Sequence, residues 1–206
     1  MTDQAPQNKQ QERTERSTNA LLQAASELIV EGGFDALTFA AIGERAGYSR
    51  GLVSARFGSK DGLVDALIDR IVTTWNTRNV LPHTRELPGR EAMVRVIEAI
   101  RRQAERDPSG LRVLYAMAFE AIGPHEELRL RMLKLHEGMR ADFATIIRRG
   151  KRDGSVGPHI ADDREAELIV GGLRGIGFQW LLDPSGFDPL PALAYLRDTT
   201  EERLKP

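Results

Sequence analysis

The sequence predicts an all-α protein with two helical domains. Apolar residues recur every third or fourth position along most of the 206-residue chain, as they do in helices that bury one face. No segment alternates apolar and polar residues for long enough to predict a strand. Glycine and proline interrupt the helical spacing at intervals and separate one predicted helix from the next. The expected architecture is an N-terminal three-helix domain containing a helix-turn-helix, followed by a C-terminal helical bundle.

The composition is that of a globular protein without cysteine chemistry. Hydrophobic residues make up 41% of the chain and charged residues 29%, which is typical of globular domains. Cysteine is absent, which excludes disulfides, thiolate catalysis and cysteine-ligated zinc. No apolar run approaches the roughly 20 residues that cross a bilayer, and the N-terminus lacks the apolar segment of a signal peptide. We therefore expect a cytoplasmic protein.

The first part of the chain is predicted to be an arm followed by a helix. Residues 1–16 are polar and rich in glutamine, so we expect them to be disordered. The helix should begin near Ser17 or Thr18, either of which can cap its first turn. The segment EGGF at 31–34 should end it, because glycine commonly follows the last helical residue.

The turn AGYS joins two short predicted helices. Thr38 can cap the first helix and Ser49 the second, since both hydroxyls can accept a hydrogen bond from the first turn. This arrangement fits a helix-turn-helix, in which the second helix, here 50–57, enters a groove of DNA. Ser59 can cap a longer helix that follows.

The charge of this segment favours a polyanionic partner. The whole chain has a formal net charge of -1, which by itself indicates no nucleic-acid binding. Residues 38–60, however, contain four basic side chains and a single acidic one, Glu44. A local basic patch of this kind is enough to meet a phosphate backbone.

The outward face of the second short helix is small and weakly apolar. Helical spacing turns Val53 and Phe57 inward and leaves Gly51, Leu52 and Ala55 facing outward. Such a face permits close approach to base edges, and its methyl groups could contact thymine methyls. The alternative is a helical hairpin with a solvated basic face.

Longer polar side chains surround that face. Arg50, at the start of the helix, is long enough to reach a guanine edge or a phosphate. Ser54 and Arg56 lie on opposite flanks, where the two phosphate backbones would run. Lys60 and the first N–H groups of the next helix offer a further phosphate site. The arm at 1–16 either contacts DNA as well or is a plain mobile terminus.

The C-terminal part is predicted to be a helical bundle. Residues 79–91 contain two prolines and suggest a linker, after which four or five helical segments extend to residue 204. We assign 17–65 to the helix-turn-helix domain and 66–206 to the bundle.

Two helices of the bundle carry a stripe that suits a small hydrophobic ligand. Methionine and aromatic side chains line such pockets together with a few polar atoms. The same stripe is what any helical core requires, and for each residue core packing is the simpler interpretation. The candidate ligand contacts are Tyr115, Phe119, Met132, His136, Met139 and Phe143.

Four glycines crowd a later helix, where each costs about 1 kcal/mol relative to alanine. Gly171 and Gly175 share a face and would let another helix approach closely. Two such faces meeting at a two-fold axis would form a dimer interface, with Phe178 and Trp180 at or near it. The alternatives are close packing inside the subunit or a ligand lying against the helix.

An enzyme is the least supported class. Catalysis requires clustered acid, base or metal-binding groups. No nucleophile elbow, phosphate-binding loop or metal motif is present, so we expect no catalytic residue, no metal and no cofactor. The four histidines fall in separate segments and none pairs with another four residues away: His83, His125, His136 and His159.

Residues 17–68 resemble the N-terminal domain of the TetR family of transcriptional regulators. The matching motif is GFDALTFAAIGERAGYSRG at 33–51 followed by FGSKDGL at 57–63, and a weaker likeness covers 171–197. The resemblance implies a homodimer on a near-palindromic operator, by default a repressor, whose C-terminal domain binds a small-molecule effector. Effector binding would change the separation of the two reading heads and release the DNA.

The resemblance also implies roles for individual residues. Thr38 and Lys60 match phosphate contacts, and 50–52 match base-reading positions. The chain departs from the family pattern at Leu52, Ser54 and Arg56, where members commonly have Thr, Tyr and His. The alternative is therefore a helical small-molecule or lipid-binding protein with a weakened DNA-binding head. The candidate DNA contacts are Thr38, Arg50, Gly51, Leu52, Ser54, Ala55, Arg56 and Lys60.

Overall fold

The structure is a computed structural model that describes residues 5–75 and 84–206. Within these ranges it contains nine α-helices and no strand, which confirms the predicted all-α class. The chain divides into two compact units, Met1–Arg70 (unit 1) and Ile71–Pro206 (unit 2). The division falls inside the fourth helix, five residues beyond the boundary that the sequence suggested. The apolar residues of that helix keep their spacing across this point, so the sequence contains no break that would mark it.

Unit 1 contains three helices and most of a fourth. Their bounds are α1 Ala5–Gly32, a 3-10 turn Phe34–Ala36, α2 Phe39–Ala46, α3 Arg50–Phe57 and α4 Lys60–Trp75. α2 contacts both α1 and α3. Helices as short as α2 and α3 are not stable alone, so a shared core must hold them. That core includes the buried side chains of Leu21, Ile29, Ile42, Val53, Leu63 and Leu67.

The N-terminal segment is helical, and the prediction of a disordered arm over 1–16 is wrong for residues 5–16. α1 begins at Ala5 and runs without interruption to Gly32. The Gln, Glu, Arg and Lys residues of this segment are good helix formers. Because they are polar, they produce no apolar spacing from which the helix could be predicted. Ser17 and Thr18 do not cap the helix: both hydroxyls donate to the carbonyl of Thr14, at 2.9 and 2.8 Å.

The predicted caps of the next three helices are confirmed. Thr38 Oγ1 accepts from the Ala41 N–H at 3.2 Å. Ser49 Oγ accepts from the Leu52 N–H at 3.2 Å. At the start of α4, Ser59 Oγ accepts from the Gly62 N–H at 3.0 Å. Each bond satisfies a first-turn donor that the helix itself leaves unpaired.

The turn between α2 and α3 depends on close backbone approach. A Cβ added to Gly43 would lie 2.7 Å from the carbonyl oxygen of Tyr48 and 3.1 Å from the backbone nitrogen of Arg50. Gly47 ends α2 with a φ of 75°, a left-handed conformation that glycine adopts without strain. These two glycines let α3 leave α2 within a few residues and fix its direction relative to α2.

Of unit 2 the structure describes the end of α4 and, from residue 84 onward, five further helices. Their bounds are α5 Gly89–Arg106, α6 Ser109–Glu120, α7 Glu126–Asp153, α8 Asp162–Leu182 and α9 Pro189–Arg203. α5 contacts α7 and α9, while α8 contacts α6, α7 and α9. The buried core of this bundle includes Met93, Ile97, Ile147, Ile169 and Leu173. Its layout brings one face each of α6, α7 and α8 together.

Candidate functional site

α3 presents the predicted small face to solvent. Gly51, Ser54 and Ala55 are exposed and Leu52 is half-buried. Val53 is fully buried, so the inward and outward faces of the helix lie as predicted. Because no side chain on the outward face is longer than leucine, another molecule can approach the α3 backbone closely there.

Arg50 lies exposed at the first position of α3. Among the residues that the structure describes, none forms an ion pair or a side-chain hydrogen bond with its guanidinium. All five of its N–H donors are therefore available to an external acceptor.

Arg45 differs from Arg50, because α1 neutralises its charge. Its guanidinium donates to both carboxylate oxygens of Glu31, at 2.9 and 2.7 Å, and approaches Glu27 at 3.4 Å. The hydrogen bond from Arg45 lowers the pKa of Glu31, and the Glu31 carboxylate raises the pKa of Arg45. The pair ties α2 to α1, so the basic patch is smaller than the sequence suggests.

Arg56 and Lys60 are each held by one intramolecular hydrogen bond. Arg56 Nη2 donates to Ser17 Oγ of α1 at 3.3 Å. Lys60 Nζ donates to the Phe34 carbonyl at 2.9 Å and lies 4.0 Å from the centroid of the Phe34 ring. Both cations keep unused N–H donors. The contacts hold Arg56 on the side of α3 that meets α1, and Lys60 at the start of α4.

Two further hydroxyls lie at the edges of the helix-turn-helix. Thr38 Oγ1 acts as an acceptor for its own helix, so its O–H remains free to donate outward. Tyr48, in the turn, is exposed to 37%. Sequence reasoning missed Tyr48, although an aromatic residue between Gly47 and Ser49 in a tight turn is the signal that could have found it.

The predicted ligand residues in unit 2 are only partly brought together. Tyr115, Met132 and Phe143 are buried, whereas Phe119, His136 and Met139 are half-buried. Tyr115 and Phe143 belong to the main core of unit 2, and Met139 packs against it. The Phe119 ring lies 5.0 Å from the ring of Phe178 on α8.

Arg174 of α8 links three of those residues, and the sequence reading missed it. Its Nε donates to His136 Nε2 at 2.7 Å, and its Nη2 lies 3.8 Å from the sulfur of Met139. Its guanidinium carbon is 5.2 Å from the Tyr115 ring centroid. The signal in the sequence is a single arginine within GGLRGIG, an otherwise uncharged segment.

His136 is a neutral partner of Arg174. Its Nε2 accepts from Arg174, so the ring proton must be on Nδ1, which faces the Met132 carbonyl. Burial, together with the charges of Arg174 and Arg140, lowers the pKa of His136 from 6.5 to about 4. The imidazole therefore accepts this hydrogen bond at neutral pH but supplies no countercharge.

Tyr115 is fixed by α8. Its hydroxyl donates to the Leu173 carbonyl at 3.2 Å, and burial raises the pKa of its phenol. A Cβ at Gly177 would collide with the Tyr115 ring, so this glycine gives the ring its space. One of the four crowded glycines thus serves packing within the subunit.

A different face of α8 is open and apolar. A Cβ at Gly171 or Gly175 would meet no atom within 4 Å. Leu168, Phe178 and Leu182 lie on the same side of the helix and are exposed to 55, 45 and 73%. Large apolar side chains this exposed and contiguous mark surfaces that other molecules cover.

Trp180 does not lie on that open face, contrary to the prediction. It is exposed to only 8% and belongs to the core of unit 2, where the guanidinium of Arg112 lies 5.8 Å from its ring centroid. The reason is helical spacing, because at about 100° per residue Trp180 lies some 200° from Phe178. The two residues therefore face opposite sides of α8.

Two other observations concern unit 2 and the chain as a whole. A cavity of about 490 Å³ lies where the start of α5 meets the end of α7, away from the predicted ligand residues. Its lining is Arg85, Glu86, Leu87, Pro88, Arg149, Asp153, Gly154 and Ser155. No helix in the described ranges is long and apolar enough to cross a membrane.

Solved structures share this fold at low sequence identity. FadR from Bacillus halodurans is 16% identical with a TM-score of 0.78, over 90% of this chain and 94% of its own. NalD from Pseudomonas aeruginosa, the secondary repressor of the MexAB-OprM multidrug efflux pump, is 20% identical with a TM-score of 0.73, over 94 and 98%. FadR from Bacillus subtilis, in complex with stearoyl-CoA, is 17% identical with a TM-score of 0.76, over 89 and 97%.

Two family profiles match the sequence itself. Residues 21–67 match bacterial regulatory proteins of the tetR family, and residues 89–205 match the C-terminal domain of BetI-type transcriptional repressors. No curated protein matches. The second profile alone spans more than half of the chain, and the first spans the helix-turn-helix described above. The chain therefore belongs to the TetR family of transcriptional regulators.

Proposed function

We propose that the protein is a homodimeric, ligand-responsive repressor that reads a palindromic operator through α3. The observation that carries this proposal is the contrast between α3 and its surroundings. The outward face of α3 is small and exposed, and Arg50 at its start has all its donors free, while Arg45 is neutralised by glutamates. A free arginine beside a small helix face suits base reading in a major groove.

The proposed DNA contacts divide into two groups. Arg50, Gly51, Leu52 and Ala55 face the base edges, where arginine pairs with guanine and the methyl groups meet thymine. The hydroxyls of Thr38 and Ser54 and the cations of Arg56 and Lys60 face the phosphates, with Tyr48 as an added candidate. Phosphate contacts set affinity and orientation but do not read sequence directly.

The open face of α8 is the proposed dimer interface. Gly171 and Gly175 let a second helix come close, and the exposed Leu168, Phe178 and Leu182 supply the apolar area that a stable interface requires. Two-fold symmetry would pair this face with the same face of a second chain and present two α3 helices to a palindrome. Trp180 has no part in it, because it is buried inside the subunit.

The effector is proposed to bind among α6, α7 and α8, where the half-buried side chains of Phe119, His136 and Met139 lie. The complex of the Bacillus subtilis FadR with stearoyl-CoA supports an effector with a long apolar part, since that protein has the same fold. An effector that binds one arrangement of the dimer better would change the spacing of the two α3 helices and release the operator. Such a repressor would act in the cytoplasm, beside the chromosome.

Selection of bound duplexes from a random DNA pool tests the proposal directly. We expect one enriched palindrome, bound with a steep dependence on salt because each neutralised phosphate releases counterions. Arg50→Ala should lose the preference for that palindrome, whereas Arg164→Ala, a matched change at an exposed position of α8, should not. Weak binding without enrichment would instead favour a helical small-molecule or lipid-binding protein.

A further inference from the structure

Arg174 is a half-buried guanidinium whose contacts carry no negative charge. Its partners are the imidazole of His136, the sulfur of Met139 and the ring of Tyr115. No carboxylate of the described residues lies within ion-pair distance of it. Burial lowers the pKa of Arg174, and the nearby Tyr115 phenol offsets only part of this effect.

Other arginines of unit 2 behave differently. Arg101 and Arg197 both bind the carboxylate of Glu98, at 2.9 and 2.7 Å, and Arg203 binds Glu165 at 2.8 Å. A partly buried cation is normally paired in this way, because leaving it alone costs desolvation energy without a return. Among the described residues, Arg174 has no carboxylate partner, and neither has Arg112 of α6, whose guanidinium lies over the Trp180 ring. Because Arg174 lies beside the candidate ligand residues His136 and Met139, it is the better placed of the two to bind the anionic part of a ligand.

The guanidinium is held in a fixed position that leaves its fork open. The hydrogen bond to His136 uses the single N–H of Nε and leaves the terminal nitrogens Nη1 and Nη2 for other partners. Of the four N–H donors on Nη1 and Nη2, one meets the Met139 sulfur, a weak acceptor, and the Tyr115 hydroxyl takes up another, so two remain unused in the part of the chain that the structure describes. A planar pair of such donors matches the two oxygens of a carboxylate.

Apolar side chains adjoin this fork. Met139 of α7 touches Arg174, and the Phe119 ring of α6 lies against Phe178, four residues further along α8. Both Phe119 and Met139 are half-buried, so they are within reach of an entering molecule. The arrangement puts one cation beside apolar side chains that come from three helices.

We propose that the effector is an amphipathic organic acid whose carboxylate binds Arg174 and whose apolar body lies along Phe119 and Met139. This proposal rests on the effector-responsive function proposed above and adds the chemical class of the ligand. The carboxylate would supply the countercharge that Arg174 lacks. The alternative is that Arg174 is structural and holds α8 against His136 and Tyr115.

The test compares acids with their neutral counterparts on the full chain, without DNA. Saturated fatty acids from octanoate to palmitate, and each matching primary amide, are titrated by calorimetry. We expect at least one acid to bind about 10- to 100-fold more tightly than its amide, the usual effect of a hydrogen-bonded charge pair. Arg174→Met should abolish that difference, and Arg174→Lys should keep part of it, because it retains the charge without the fork. Arg164→Met on the same helix should change nothing.

Each other outcome overturns the proposal. The proposal is wrong if no acid binds or if each acid binds only as tightly as its amide. It is also wrong if Arg174→Met keeps the difference in affinity between acid and amide. Tight binding of an acyl-CoA thioester without binding of the free acid would also overturn it, because the thioester has no carboxylate at that end.

Thermal melting of Arg174→Met without ligand separates binding from structure. If Arg174 serves the ligand, removing an unpaired cation should leave the Tm unchanged or raise it. A clear fall in Tm would assign Arg174 a structural role and overturn the proposal. Operator selection is independent of these titrations, so a failed selection with a preserved acid preference would reject the repressor function alone.

Discussion

Arg45 and Glu31 form a two-point ion pair between α2 and α1, with N–O distances of 2.9 and 2.7 Å. Arg45 is one of the four basic residues of segment 38–60, but this pair neutralises its charge. By joining α2 to α1, the same pair also holds in place the helix that Thr38 caps and that leads into the turn before α3. An apparent DNA-binding charge is therefore a structural contact inside unit 1.

Arg45→Ala should lower the stability of unit 1 with little effect on operator affinity. The reason is that its guanidinium already has a partner, so no phosphate contact is lost. Chemical denaturation of the variant and of wild type measures the change in stability. Titration of both proteins with the selected operator measures the change in affinity. A large loss of operator affinity in a protein that melts like wild type would contradict this assignment.

Arg50→Ala and Lys60→Ala should affect DNA binding in different ways. Arg50 is proposed to read bases, so its loss should cost about 1–3 kcal/mol on the operator and little on random DNA. Lys60 is proposed to contact phosphate, so its loss should weaken binding to all DNA alike and reduce the salt slope by about one. Fluorescence anisotropy on both duplexes across a salt series separates them. Equal losses on both duplexes for both variants would reject this division of roles.

Gly43→Ala should destabilise unit 1 by about 1–3 kcal/mol. Its Cβ would lie 2.7 Å from the Tyr48 carbonyl, and backbone cannot move aside as a side chain can. Gly138→Ala is the matched control, because Gly138 is an exposed helical glycine with no atom within 4 Å of the added Cβ. That control should gain about 0.5–1 kcal/mol from its better helix propensity. Urea denaturation measures both, and similar changes in the two would disprove the close-approach argument.

Gly175→Glu should weaken the proposed dimer without unfolding the subunit. The added side chain meets open space within one chain, but at a two-fold axis it would face its own symmetry mate. We expect the dimer dissociation constant to rise at least about 10-fold, as buried like charges oppose association. Analytical ultracentrifugation measures the dimer dissociation constant, and Gly138→Glu on α7 is the matched control. A dimer as tight as wild type would exclude this face of α8 from the interface.

The stability of unit 2 should fall as the pH drops from about 6.5 to about 4. The unfolded chain binds a proton on His136 near its usual pKa of 6.5, while the folded chain does so only at about 4. Between these values the unfolded state binds more protons, so acid favours unfolding; above 6.5 the contribution is constant. His136→Gln should flatten this part of the stability curve in urea denaturation at several pH values. An unchanged curve would mean that His136 titrates alike in both states.

The sequence determined the helical class, because apolar spacing and glycine breaks are local properties. It placed the caps at Thr38 and Ser49 and the buried side of α3, since capping hydroxyls and a 3.6-residue period can be read from neighbouring positions. It recognised the N-terminal helices as those of a TetR regulator, and the matched family profile agrees. It did not find the helix over 5–16, because polar helix formers carry no apolar pattern.

Only the tertiary structure decided which charged groups are engaged. Arg45 meets Glu31 from 14 residues away, and Arg174 meets His136 from 38 residues away. No spacing rule relates such pairs, because they depend on how separate helices pack. For the same reason Trp180 could be assigned to the core, and Gly175 to the open face of α8, only once the neighbours of α8 were known. Local physics specified the helices of this protein, and packing decided which of its side chains remain available to bind other molecules.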